Sequence, residues 1–191
     1  MKSAVLASLI AGAAAFAPAQ TKTSSTALAA SPFANEVGAV APLGYFDPMG
    51  LCKDGNQDTF DRLRYSEIKN GRVAMLAVVG YLVTRAGVRI PGYEDVPSGF
   101  AAFEQMPESA AYFFGFTVAI LEIMMHDEPG TGNEHIGDFR NGFIDFGWDK
   151  FDAETKLKKR TIELQNGRAA MMGIWGIMVH EKMGNLDLIM A

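Results

Sequence analysis

Three stretches of the chain are apolar enough to be buried, and each is interrupted by a glutamate. The first runs unbroken from Val73 to Val83, beyond Glu67; the second runs from Ser109 to Leu121, meets Glu122 and continues Ile-Met-Met125; the third follows Glu163 and ends near Met183. Their period and length predict helices over about 58–87, 108–126 and 154–183, with Asp58 or Thr59 as the N-cap candidate of the first. A lipid span needs about 20 apolar residues, and no stretch reaches that alone. The first and third qualify only if their polar residues lie in the membrane zone with partners.

Those polar residues form a repeat. Glu163-Leu-Gln-Asn-Gly-Arg-Ala-Ala-Met171 restates Glu67-Ile-Lys-Asn-Gly-Arg-Val-Ala-Met75 at an offset of 96. The similarity begins at Asp58-Thr59 and Glu154-Thr155 and covers 18 positions, 8 of them identical. Two copies of one supersecondary unit follow. On a helix Arg72 stands roughly 140° round from Glu67 and is poorly placed to neutralise it. The natural exchange is between copies, Glu67 with Arg168 and Glu163 with Arg72. Gly71 and Gly167, beside the charges, allow the close backbone approach that this needs. Reciprocal pairing puts both motifs at one depth, so the helices run the same way, with an odd number of crossings between them. The second stretch supplies one.

Flanking charge agrees with that arrangement. The connection from Asp127 to Thr161 holds six Lys/Arg and that from Arg85 to Glu108 holds two, which places both motif ends on the synthesis side. Overall, 191 residues suggest one domain after processing, and 49% hydrophobic against 20% charged residues fits a membrane protein. A net charge of −5 and the lack of a basic, aromatic-interleaved groove set nucleic-acid binding aside. Cys52 is the single cysteine, so no internal disulfide forms.

The N-terminus reads as an address. Residues 1–15 carry Lys2, an apolar run and small residues ending Ala13-Ala14-Ala15, as a signal peptide does; residues 16–30, without acids and rich in hydroxyls, resemble a transit peptide. Together they look like the two-part address of plastids bounded by more than two membranes. An export signal followed by a linker is the alternative. The domain proper is 31–191. Its lead-in, residues 31–57, is punctuated by Pro, Gly and Asn, and Gly44-Tyr-Phe-Asp-Pro-Met-Gly-Leu51 reads either as a cap along the membrane surface or as an ordinary loop.

A carboxylate at mid-bilayer costs roughly 2.5–3.5 kcal/mol on insertion scales, so it is usually kept for a purpose. A proton path would string acids through the bilayer, whereas those of the first and third helices share one depth. A structural clamp explains Glu67, Arg72, Glu163 and Arg168 but not Asn70, Asn166 or Glu122. A ligand role covers all of them: oxygen donors suit Mg²⁺, and a Mg²⁺ already held by four ring nitrogens asks for one axial ligand. Single donors scattered over helix faces fit chlorophyll better than a protein-built cage, with the clamp reading still open for the charged four.

The doubled Glu-x-x-Asn-Gly-Arg-x-Ala-Met resembles the first and third membrane helices of the chlorophyll-binding light-harvesting antenna family. Gly44–Leu51, Asp145-Phe-Gly-Trp-Asp-Lys-Phe151 and Glu154-Thr-Lys-Leu-Lys-Lys-Arg160 look most like its fucoxanthin–chlorophyll a/c branch. The resemblance implies an all-α membrane protein with three transmembrane helices, the first and third a crossed pseudo-two-fold pair and the second separate. It implies chlorophyll ligation by Glu67, Asn70, Glu122, Glu163, Asn166 and His180, with Glu67–Arg168 and Glu163–Arg72 as inter-helix charge pairs. His180, beside Glu181, reads alternatively as an interfacial histidine. Central carotenoids would lie in grooves beside Gly71, Ala74, Gly80, Gly167, Ala170, Gly173 and Gly176, although close helix packing uses the same small residues.

Some positions depart from the family pattern. Phe114 stands where a second middle-helix ligand is often expected. His126 is expected in the interface, His135 in a solvated loop, and Met75, Met171 and Met172 in packing. The implied function is light harvesting in the plastid thylakoid membrane, with chlorophyll a, chlorophyll c and fucoxanthin or a related carotenoid, among lipids, a photosystem and other antenna subunits, in an oligomer. No nucleophile–base constellation suggests an enzyme. The alternatives are a photoprotective quencher sensing lumenal acid through Glu94, Asp95, Glu104 and Glu108, and an ion carrier with a duplicated helix.

Overall fold

The computed structural model describes residues 32–125, 134–140 and 147–186, all within a unit extending from Pro32 to Ala191. The address in residues 1–30 and His126 lie outside the described residues. Helix α1 spans Gln57–Arg85, a short α2 Ala101–Gln105, α3 Glu108–Met124 and α4 Ala153–Lys182, with a 3-10 turn at Trp148–Lys150 before α4. Among the described residues there is no strand, only an isolated bridge between Val40 and Gly44.

Helix α3 begins at the expected residue, and α1 and α4 begin one residue upstream of the expected positions. Asn56, not Asp58 or Thr59, caps α1, its Oδ1 accepting from the Asp58 N–H at 3.0 Å. Asp152 caps α4 through the Thr155 N–H at 3.3 Å. Both satisfy an amide that the first helical turn leaves without a partner. At its end α1 stops at Gly87, whose φ of +84° turns the chain in the left-handed region where a side chain is disfavoured. Helix α2 had no counterpart in the sequence reading; five residues give too little periodicity to see.

Helices α1 and α4 share the extensive helix–helix interface of the fold. Ile68, Gly71 and Ala74 are buried on α1, and Leu164 and Gly167 on α4, so the repeat presents equivalent stripes. At the crossing the backbones nearly touch. A Cβ added to Gly71 would lie 3.0 Å from the Gly167 Cα, and one added to Gly167 would lie 3.1 Å from the Gly71 Cα. The helices run in the same direction. Phe60 and Arg64 in the first half of α1 share a cavity wall with Arg160 and Glu163 in the first half of α4, whereas Phe100, beyond α1, donates to Glu181 Oε1 at 2.8 Å near the end of α4.

A second buried nucleus lies under the lead-in. Phe33 stacks on Phe60 at 4.3 Å between ring centroids, with Cys52 beside them and Tyr45 packed against the edge. Residues 44–51 are thus tied to the helix pair. Asp47 organises their turn by accepting from the N–H groups of Leu51 and Cys52 at 3.0 and 2.9 Å.

Helix α3 contributes no buried residue, and Phe113, Phe114, Phe116 and Ile123 are all exposed. Among the described residues no helix is long and apolar enough to cross a membrane. The two reasons differ. Helices α1 and α4 have 29 and 30 residues but carry the charged repeat. Helix α3 is apolar but has only 17 residues, about 26 Å at 1.5 Å per residue.

The crossing yields a prediction. Gly71→Ala should destabilise the refolded protein by about 1–3 kcal/mol, because the atom it meets is backbone and cannot rotate away. Gly115→Ala on α3, where an added Cβ meets nothing within 4 Å, should leave the melting temperature unchanged or raise it through helix propensity. Circular dichroism melts in detergent compare the two; equal melting temperatures would contradict the close crossing.

Candidate functional site

The repeated motif places its charges on the flanks of the crossing. Arg72 Nε lies 2.6 Å from Glu163 Oε1, and Arg168 Nε lies 2.6 Å from Glu67 Oε1. Each guanidinium also donates to a backbone carbonyl of a segment that precedes a repeat helix: Arg168 Nη1 to Gly38 at 2.8 Å and Arg72 Nη1 to Gly137 at 2.7 Å. Both glycines are left-handed, with φ of +91° and +83°. At Gly137 an added Cβ would also come within 2.9 Å of Ile68, so a side chain is excluded twice over. Asn35-Glu36-Val-Gly38 and Asn133-Glu134-His-Ile-Gly137 carry this second correspondence in sequence, with one residue inserted. The two segments are offset by 98 residues at the asparagines and 99 at the glycines, so the 96-residue register of the helical repeat does not reveal them.

The two copies are not equivalent in detail. Arg64 turns onto its own helix and holds Glu67 Oε2 at 2.7 Å, so both oxygens of Glu67 accept from arginine. Its counterpart Arg160 leaves Glu163 and pairs with Glu134 at 2.9 Å, alongside Lys156 at 2.7 Å. Lys69 forms an ion pair with Glu122 on α3, whereas its counterpart Gln165 donates to the Gly38 carbonyl at 3.4 Å. Helix α3 has no lysine or arginine of its own beside Glu122; a lysine 53 residues away supplies the charge.

The other expected site residues are dispersed. Asn70 and Asn166 are exposed on the helix surfaces, and Asn70 donates from Nδ2 to Ser66 Oγ at 3.2 Å, which leaves its carbonyl oxygen as a donor of lone pairs. His180 is half-buried, with Nδ1 3.0 Å from Asn185 Oδ1. A proton held there leaves a lone pair on Nε2. Of the small residues assigned to grooves, Gly71 and Gly167 form the crossing contact itself, and Ala74 is buried. Gly80, Gly173 and Gly176 face open space. Among the described residues no three His, Cys, Asp or Glu cluster to hold a metal ion.

A cavity opens beside each charge pair. One, of about 610 Å³, lies between Glu67, Arg168 and Leu63 and the arch formed by residues 38–47. The other, of about 430 Å³, lies between Arg72, Glu163, the end of α3 at Leu121 and Met124, and the segment containing Phe139 and Trp148. Desolvation pushes the Tyr45 phenol, in the wall of the first, up to about 12, with buried Cys52 adding to the effect.

The wall of the second cavity holds a polar cluster that the sequence reading missed. Asp138 is buried at 3% exposure and accepts from Arg140 at 2.8 and 2.7 Å. These bonds hold its carboxyl well below the usual carboxylate range, against the opposing effect of burial. Glu134 gathers Lys156, Arg160 and the Trp148 indole N–H, at 3.1 Å for the last; the bonds from Lys156 and then Trp148 lower its pKa. His135, expected in solvent, has a side chain only 22% exposed, with its ring 6.1 Å from that of Trp148. Burial and then Arg160 lower its pKa, so it is neutral at pH 7.

The fold and its site define a helical protein built on two charge-exchanged repeat helices whose glutamates, Glu67 and Glu163, line cavities. Residues 33–182 match the family model described as chlorophyll A-B binding protein, and the chain belongs to that family. It is 54% identical to fucoxanthin-chlorophyll a-c binding protein C, chloroplastic, of Phaeodactylum tricornutum, over 96% of this chain and 97% of that one. It is 50% identical to the fucoxanthin-chlorophyll a-c binding protein, chloroplastic, of Trieres chinensis, over 96% of both chains. Against fucoxanthin-chlorophyll a-c binding protein F, chloroplastic, of Macrocystis pyrifera, it is 44% identical over 93% of this chain and 86% of that one.

Two predictions test the electrostatics. Arg72→Leu leaves Glu163 without its cation in an apolar setting, an unpartnered charge of order 3–5 kcal/mol, whereas Arg72→Leu/Glu163→Leu removes both charges. Refolding yield should be lower in the single variant than in the double; the reverse order would argue against the exchange.

The second concerns pH. His135 has a folded pKa below its unfolded value of about 6.5, so the stability it contributes is complete above that pH and declines as pH falls from there toward the folded pKa. Asp138 and Glu134 have depressed folded values as well, and their contribution starts to be lost below about pH 4. Amide protection factors in residues 134–140, which divide out the slower intrinsic exchange at low pH, should therefore fall in two phases on acidification, and His135→Phe should remove the first. A single phase near pH 4 in the unsubstituted protein would contradict the assignment to His135.

Proposed function

We propose that this chain is a light-harvesting antenna protein of the plastid thylakoid membrane that holds chlorophyll a, chlorophyll c and fucoxanthin or a related carotenoid. The observation that carries the reading is the pairing of each repeat carboxylate with an arginine at the wall of a cavity. A glutamate neutralised in this way keeps a lone pair for an axial bond without bringing net charge into an apolar site. Bound chlorophyll supplies the light absorption and the excitation transfer toward a photosystem. The protein fixes positions: Glu67, Glu163 and Glu122 by charged oxygen, Asn70 and Asn166 by amide oxygen, His180 through Nε2. The open space beside Gly80, Gly173 and Gly176 suits a long polyene, and the exposed apolar side chains of α1, α3 and α4 suit pigment and lipid neighbours.

Helices α1, α3 and α4 are then the three membrane spans, with α1 and α4 as the crossed pseudo-two-fold pair. Hydropathy counts every charge as isolated, whereas the inward charges of the repeat are satisfied across the crossing. Insertion of the pair costs less than the sum of its residues. The leading residues 1–15 and 16–30 are read as signal and transit peptides, and the assembled protein as part of an oligomer with other antenna subunits. A quencher driven by lumenal acid is less well supported. Glu94, one of its expected sensors, accepts twice from the Gly92 N–H at 3.0 Å and is held below the usual range, whereas a sensor of mild acidity needs a raised value.

Asn166→Leu is the direct test, because no charged partner is orphaned by it. Pigment per polypeptide should fall by about one chlorophyll, with a narrow loss in the red absorption band and unchanged helix content. A full pigment complement would make Asn166 a surface amide only.

A further inference from the structure

Helix α3 carries Glu122 with no lysine or arginine in its own 17 residues, and it buries nothing against the helix pair. Its position must come from few contacts. One is the ion pair from Lys69 Nζ to Glu122 Oε2. Another is the shared cavity wall that Leu121, Met124 and Met125 line with Arg72 and Glu163. The remaining cations of that wall are engaged elsewhere: Arg72 with Glu163 and the Gly137 carbonyl, Arg140 with Asp138. Lys69 is also set in place from its own side, its ammonium 5.9 Å from the Tyr65 ring, and that ring packs edge-on to Phe139 at 5.6 Å.

The repeat supplies the contrast. At the position of Lys69 the other copy has Gln165, and that copy has no acidic helix to meet; its amide goes to the Gly38 carbonyl. A cation appears in the one copy that faces an acid without a local partner. We propose that Lys69 is the countercharge that allows Glu122 to act as an axial chlorophyll ligand, a positioning residue acting across two helices. The inference rests on the reading of Glu122 as a ligand. The ammonium occupies Oε2 and leaves Oε1 for the metal, so the carboxylate enters the site as a neutral pair. The pair is only partly covered, at 35% and 50% exposure for the two side chains, which leaves room for a macrocycle beside it.

The logic predicts a specific rescue. A neutral amide oxygen needs no countercharge, so Glu122→Gln should remove the requirement for Lys69. The protein is refolded with extracted chlorophylls and fucoxanthin in six forms: unsubstituted, Glu122→Leu, Glu122→Gln, Lys69→Gln, Lys69→Arg and Lys69→Gln/Glu122→Gln. Pigment per polypeptide and red-band difference spectra are recorded. Lys69→Gln is chosen because the equivalent position in α4 already holds glutamine in the same helical setting.

Glu122→Leu should lose about one chlorophyll and so define the spectral signature of the site. Lys69→Gln should lose the same component, at least fivefold in occupancy, Lys69→Arg should retain it, and the Lys69→Gln/Glu122→Gln protein should regain most of it. A Glu122→Leu protein with its full complement overturns the ligand reading and this proposal with it. Loss in Glu122→Leu but not in Lys69→Gln overturns the role of Lys69 and leaves the ligand reading intact. Loss in Lys69→Gln without recovery in the double variant shows that Lys69 only packs the helices. If Lys69→Gln alone does not fold, the double variant decides: equal pigment in it and in Glu122→Gln supports the countercharge, and loss in it overturns the proposal.

Discussion

The structure depends on the exchange of two carboxylates and two guanidiniums across a contact between glycines. The glycines set the distance: with the added Cβ of each within 3.1 Å of the opposite Cα, no other residue allows this approach. The approach in turn decides which charges meet. Each arginine reaches the other helix's glutamate because its own is turned away, and each completes its geometry on a carbonyl from a left-handed glycine. An ion pair taken out of water returns its desolvation cost only when its remaining hydrogen-bonding groups are satisfied. The Gly38 and Gly137 carbonyls do that, and they also pin the two segments that wall the cavities. Helix crossing, ion pairs and cavity walls are therefore one arrangement.

A duplicated unit with one asymmetric neighbour need not stay symmetric. Helix α3 meets one copy through Lys69, and the segment before α4 brings Glu134 within reach of Arg160. Arg64 keeps the local partner that Arg160 has given up, so Glu67 is held at both oxygens, whereas Glu163 receives Arg72 at Oε1. The walls differ too, an arch of residues 38–47 on one side and an aromatic, charged segment around Trp148 on the other. Two glutamates at equivalent positions of the repeat thus stand in different fields.

Much of this was legible in the chain, for definable reasons. The helices were visible because apolar runs of helical length stand between turn-formers, and the partner choice followed from the angle between Glu67 and Arg72 on one helix. What was missed depends on contacts that periodicity does not carry. The Lys69–Glu122 pair joins residues in different patterns. Asp138–Arg140 and His135 lie in a stretch read as a loop, where burial comes from the aromatic side chains of Phe139 and Trp148 and not from a repeat. The cap of α1 lies upstream of Asp58 and Thr59 because Asn56 precedes the first large apolar residue of the helix, Phe60, by four positions. The small residues divided into contact and open sets, a distinction that composition cannot make, since a glycine at a crossing and a glycine in a groove read alike.

The distribution of apolar surface gives the arrangement its last constraint. Among the described residues the buried apolar side chains are few: Ile68, Ala74 and Leu164 at the crossing, Phe33, Cys52 and Phe60 under the lead-in, and Phe139 and Leu186 elsewhere. Large side chains such as Leu76, Val79, Phe113, Phe116, Met172 and Trp175 point outward. A core of that size cannot offset the ordering of two helices near 30 residues each, since fixing one residue's backbone costs about 1–2 kcal/mol. The balance must come from what covers the exposed faces. Lipid covers an apolar surface in unfolded and folded helices alike, so it does not select the native crossing. A ligand that touches both helices of the crossing and the cavity wall binds the native arrangement alone, and it stabilises that arrangement by mass action. On the proposed reading the bound pigments would therefore also complete the packing beside the glutamates, arginines and glycines that form the repeated part of the chain.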